Sequence, residues 1–272
     1  MTMGGRFSFR RVALLLRSDA ECVCPALLKV TLGAGFFLFL YFLATYGYDG
    51  SGIISVTTDA AMRWKGSVSK GCLVLAMVFG PSFVYAGMAR PDARLAFMMR
   101  PASAAEKFVG RLLLSTVGVS ALVLLAVAVA DLLHLGFSLA AGTSDGLRSV
   151  MASLARETAG SVSDIFRPAP HDWPAALAHG LNAVAGLLFF QSLYLLCPLL
   201  LARGGFVVAT FSAVVCRAVF VALRHCLPDT VSQSACDFMC MALGLLLAVA
   251  NYAVAYRSFR RMQLVNGKWF NI

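Results

Sequence analysis

The chain has 272 residues, of which 60% are hydrophobic and only 13% charged, with a mean hydropathy of +0.79. A water-soluble domain carries about a quarter charged residues, so the polar material here cannot cover the apolar material, and a soluble globular fold is excluded in favour of a membrane-embedded one. The formal net charge of +10 sits on residues that flank apolar runs rather than interleave with aromatics, which points to cytosolic retention and membrane lipids as partners and away from nucleic acid.

Residues 1–29 read as a cytosolic amphipathic segment. In GRFSFRRVALLLRS a helical period places Arg6, Arg10 and Arg17 on one side and Phe9, Val12 and Leu16 on another, the pattern of a helix lying in the membrane interface. The apolar part of FRRVALLL is too short for a cleavable signal, and Arg17, Asp19 and Glu21 interrupt it, so no cleavage is expected.

Six apolar runs follow, each near the 20 or so residues that cross about 30 Å of hydrocarbon as helix. They fall at about 30–48, 71–89, 112–130, 176–200, 206–223 and 238–256, making 30–256 a six-helix transmembrane domain of all-α class, with 257–272 a basic cytosolic tail. Kinks are expected at Pro81 and Pro198, and Asp131 is expected to stop the third span. Between the third and fourth spans, SDGLRSVMASLARETAGSVSDIF has helical apolar spacing after a cap at Asp145. Arginines crowd both tails and the second-to-third connection, which holds Arg90, Arg94, Arg100, Lys107 and Arg111. Asp49, Asp59, Asp145, Glu157, Asp164, Asp172 and Asp229 fall on the opposite side. That asymmetry places both termini in the cytosol.

Chemistry-bearing motifs are sparse. The eight cysteines form no metal-binding or disulfide framework, although Cys226 and Cys236 could pair on the outer side. GSVSKG at 66–71 lacks the spacing and hydroxyl of a phosphate-binding loop, and neither H-E-x-x-H nor G-x-S-x-G occurs. No enzymatic activity, cofactor or metal is expected of this chain. Arg217 inside the fifth span is a cation in hydrocarbon, with Asp131 and Asp237 near outer helix ends as candidate partners. Asn182, Gln191 and Asn251 read as inter-helix hydrogen-bonding residues.

The most informative stretch is MMRPASAAEKF, residues 98–108. Ser103 and Glu106 have the spacing of a capping box, and Pro101 disfavours helix at Arg100. The third span is therefore expected to begin at Ser103, outside the lipid, beside an apolar cluster of Leu95, Phe97, Met98 and Met99. MMRPASAAEKFVGRLL resembles the loop between the second and third spans of ABC-2-type transporter membrane subunits, which in a bacterial permease-like group reads roughly Leu-Pro-Ala-Ser-x-x-Glu-Lys-Phe. QSLYLLCPLLLARGGFVVAT and NYAVAYRSFRRMQLV resemble the fourth-to-fifth turn and the closing pattern of the same group, in the same order. The resemblance implies a bacterial inner-membrane protein, a homo- or heterodimer of permease subunits, and a separate ATPase subunit that binds ATP. It also implies that Pro101, Ser103, Glu106, Lys107 and Phe108 form the ATPase-coupling loop, with Arg100 departing from the usual Leu. The alternative expectation is a non-transporting membrane accessory or scaffold protein.

Overall fold

The computed structural model describes residues 8–44, 46–48, 53–55, 59–86, 91–140, 148–166, 173–201, 204–226 and 233–261. Among them the regular structure is helical apart from a two-stranded antiparallel ribbon. In chain order come α1 (Phe9–Leu43), β1 (Tyr46–Tyr48), β2 (Ile53–Ser55), α2 (Asp59–Ala86), α3 (Pro91–Met98) and α4 (Ala104–Leu113). A π-turn (Leu114–Gly118), α5 (Val119–Ala140), α6 (Val150–Phe166), α7 (Trp173–Leu200), α8 (Gly205–Cys226) and α9 (Gln233–Arg261) follow. The ribbon pairs Tyr46 with Ser55 and Tyr48 with Ile53.

Five described helical stretches are long and apolar enough to cross a membrane: Ala61–Tyr85, Ala104–Ala140, Gly180–Leu200, Gly205–Ala222 and Phe238–Arg261, with a shorter apolar stretch, Leu28–Leu43, ending α1. This is a multi-pass membrane architecture. The second stretch has 37 residues, roughly 55 Å at helical rise, so it is far longer than about 30 Å of hydrocarbon requires.

Several boundaries differ from the sequence expectation. The amphipathic segment and the first apolar run share one helix, α1. Helix α2 begins at Asp59, so Arg63, Lys65 and Lys70 lie in it rather than in a loop before residue 71. Asp131 does not stop the third span, because its carboxylate is buried and hydrogen-bonded, and helix continues to Ala140. Helix α6 starts at Val150, with Ser149 Oγ accepting the Ala152 amide at 3.3 Å; the expected cap, Asp145, lies outside the described residues, as does Arg6. Cys236 is a buried free thiol, and the side chain of Cys226, its expected partner, lies outside the described residues.

The chain packs as two units. The first comprises residues 1–17, 77–116 and 164–272, and its frame is α7 against α8 and α9. Asn251 Nδ2 donates to Ser192 Oγ at 3.0 Å and the Tyr252 hydroxyl to Gln191 Oε1 at 3.2 Å, joining α9 to α7. Pro198 has no N–H for the carbonyl four residues earlier, that of Tyr194. Ser82 Oγ on α2 donates to that carbonyl at 2.6 Å, satisfying it inside the core. The α7–α8 hairpin closes through Gly204, whose φ of +73° suits glycine.

The second unit comprises residues 18–76 and 117–163. Its core gathers Phe42, Met62, Ala130 and Val150. Small residues let backbones approach, as membrane helices require. A Cβ on Gly66 would stand 2.6 Å from Ser153 Oγ, and Ser153 Oγ donates to the Met62 carbonyl at 2.7 Å, locking α6 onto α2.

Candidate functional site

In the first unit, α3, the turn at 99–102 and the start of α4 form a compact elbow. Ser103 is the N-cap of α4 in extended conformation, and both capping-box bonds form. Its Oγ accepts the Glu106 amide at 3.2 Å, and Glu106 Oε2 accepts the Ser103 amide at 2.9 Å. The other carboxylate oxygen does something the sequence did not announce. Oε1 accepts the Ser8 amide at 2.9 Å and faces Arg11 Nε at 3.2 Å. Ser8 in turn precedes α1, its carbonyl accepting the Arg11 and Val12 amides. One buried carboxylate therefore holds the first residues of two helices, α1 and α4, matching its charge to the exposed amides and positive dipole at each N-terminus.

The rest of the elbow is fixed from both sides. Lys107 Nζ donates to the Met98 carbonyl at 2.7 Å, covering the open C-terminal end of α3. Phe97 and Phe108 pack with Phe259 of α9, ring centroids 6.3 and 5.6 Å away, in a core shared with Tyr85, Leu195 and Leu199. The Arg111 guanidinium lies 4.4 Å from the centre of the Phe97 ring and that of Arg100 lies 5.4 Å away, close enough for cation–π attraction. Val12 of α1 is buried, beside Gly110 of α4.

The five residues expected to form the coupling loop consequently separate by role. Pro101 is exposed and Ser103 half-buried, whereas Glu106, Lys107 and Phe108 are buried within the unit. Those three cannot touch a partner while the elbow is folded. The surface the elbow offers is Leu95, Ala96, Met99 and Pro101, with Met99 75% exposed.

Arg217 is exposed on α8, and the side chain of Asp237 lies outside the described residues. Asp131, a candidate partner of Arg217 by sequence, is hydrogen-bonded to the start of α6. It accepts from Ser149 Oγ at 2.6 Å and from the Val150 and Met151 amides at 2.7 and 3.2 Å. Near it in the second unit, Lys65 Nζ lies 2.9 Å from His134 Nε2, with the Phe42 ring 5.9 Å from the ammonium and edge-on to the imidazole. Sequence reasoning missed Lys65 by assigning it to a loop; its place within a helical run ending in a strongly apolar segment was the available signal. Among the described residues no three His, Cys, Asp or Glu side chains group as metal ligands.

No protein-family model, curated protein or solved structure matches this chain.

Proposed function

We propose that this chain is the membrane-spanning, permease-like subunit of an ABC-2-type transporter of the bacterial inner membrane, driven by a separate ATPase that docks on the elbow. Both termini and the elbow then face the cytosol, six spans are completed by the apolar end of α1, and a homo- or heterodimer forms the path. The chain itself hydrolyses nothing.

The observation that carries this reading is the joint construction of the elbow. An exposed apolar tip, Leu95, Met99 and Pro101, stands on buried Glu106, Lys107 and Phe108, which tie it to a helix that runs on for 37 residues. A push on the tip is delivered to α4 rather than absorbed by a flexible loop. An exposed apolar patch rimmed by arginines is a surface suited to a protein partner. The test is a photo-reactive side chain at position 99 in native membranes. Capture of a polypeptide with a phosphate-binding-loop ATPase domain supports the reading. Capture of only non-nucleotide-binding membrane proteins favours a scaffold and overturns it.

A further inference from the structure

The long helix that runs from the elbow through α5 is not uniform. At Leu114–Gly118 it opens into a π-turn, whose backbone bonds reach five residues along instead of four. Such a turn holds one residue more than the α-helix needs, and turns of this kind gather at functional sites and at kinks. Neither end of the helix is free to rotate about its axis. Glu106, Lys107 and Phe108 fix the elbow end, and farther along Asp131 is hydrogen-bonded to the start of α6.

We propose that the π-turn is a register switch: it moves about one helical turn toward Ser120 and back, rotating the stretch between while both anchored ends keep their places. Passing one residue of register through that stretch turns it by about 100° and slides it by about 1.5 Å along the axis. The helix contains one π-turn before and after, so the backbone ladder is equally complete in the two arrangements. A movement of the elbow then passes along the helix without unseating either anchor.

The hydroxyl groups mark the two stations. Ser115 Oγ and Thr116 Oγ1 both donate to the Leu112 carbonyl, each at 2.9 Å. In an unbroken α-helix that carbonyl accepts the Thr116 amide. Where hydrocarbon replaces water, a carbonyl deprived of its regular amide is satisfied by a Ser or Thr side chain from the next turn. The second station is Ser120, which is buried yet makes no hydrogen bond through Oγ among the described residues. Elsewhere Ser69, Ser138 and Ser161 each donate to the carbonyl four residues earlier. A buried hydroxyl left without a partner is costly. With the π-turn moved, Ser120 stands three and four residues after Val117 and Thr116, the spacings that Ser115 and Thr116 now have to Leu112. The moved turn therefore gives Ser120 the carbonyl it lacks. This device lies within one helix and stands whether or not a partner ATPase engages the elbow.

The test uses the whole chain in lipid nanodiscs, with 13C-methyl valine read by NMR. Val117 lies in the stretch that rotates, and its signal is assigned by its loss in V117I. Val109 in α4 and Val127 in α5 flank that stretch. In the wild type, Val117 should show two resolved signals or relaxation dispersion, while Val109 and Val127 each give one signal without dispersion. Ser115→Ala weakens the present register and should raise the minor share about five-fold. Ser120→Ala removes the hydroxyl that only the moved turn uses and should lower it about five-fold. A fixed π-turn predicts a single Val117 signal without dispersion, which overturns the proposal. So does exchange that extends equally to Val109 and Val127, or a minor share that the two serine variants leave unchanged or shift in the same direction. The wild-type comparison of the three valines decides even if a variant fails to fold.

Discussion

Replacing Glu106 should loosen two helix starts that are almost a hundred residues apart in sequence. Its carboxylate accepts the Ser103 and Ser8 amides, each at 2.9 Å, and is fully buried. Hydrogen bonds to a charged group contribute about 1.5–3 kcal/mol each, so the two amides together account for about 3–6 kcal/mol. Arg11 is 43% exposed, and solvent screening limits its ion pair to at most about 1 kcal/mol. Glu106→Ala should therefore weaken local protection by about 3–6 kcal/mol. Glu106→Gln keeps one acceptor oxygen but turns an NH2 toward the other amide, and should lose about 2 kcal/mol, which is about 30-fold in an opening equilibrium. Hydrogen exchange read by mass spectrometry should show peptides at 8–12 and 103–108 losing protection together. Arg11→Gln should change both far less. Loss of protection at 103–108 with 8–12 unaffected would refute the shared-carboxylate reasoning.

Other outcomes follow from single contacts. Ser82→Ala leaves the Tyr194 carbonyl, already without a proline N–H, unsatisfied in the core; a loss of about 1–3 kcal/mol should appear as a lower thermal midpoint in detergent. Gly66→Ala drives a Cβ to 2.6 Å from Ser153 Oγ and 3.0 Å from the Ser153 carbonyl carbon, and should cost about 1–3 kcal/mol by overpacking, read in the same melt. Asp131→Ala removes the acceptor for Ser149, Val150 and Met151, so exchange should rise at the first turn of α6 while the elbow peptides stay protected. Arg217→Leu, at an exposed position on α8, should change stability by no more than about 0.5 kcal/mol.

The apolar helices and the start of α4 were legible because length, hydropathy and the Ser103–Glu106 spacing are local signals. What escaped were tertiary roles of polar residues. Lys65 read as a loop residue and Asp131 as the end of a span because a charge ordinarily lies outside an apolar run, yet each is buried where another helix meets it. Glu106 was legible as a cap for its own helix. Its hold on Ser8 was not, because no pattern links residues 98 positions apart. Only side-chain packing could separate the exposed Pro101 from the buried Lys107 and Phe108.

The most direct measurement is the sidedness and occupancy of the elbow tip. A chemically addressable residue at position 99 should react with a membrane-impermeant reagent in inside-out vesicles, remain silent in intact cells, and be shielded when a partner ATPase of the proposed kind is bound. Reaction from the outside of intact cells would contradict the cytosolic coupling role.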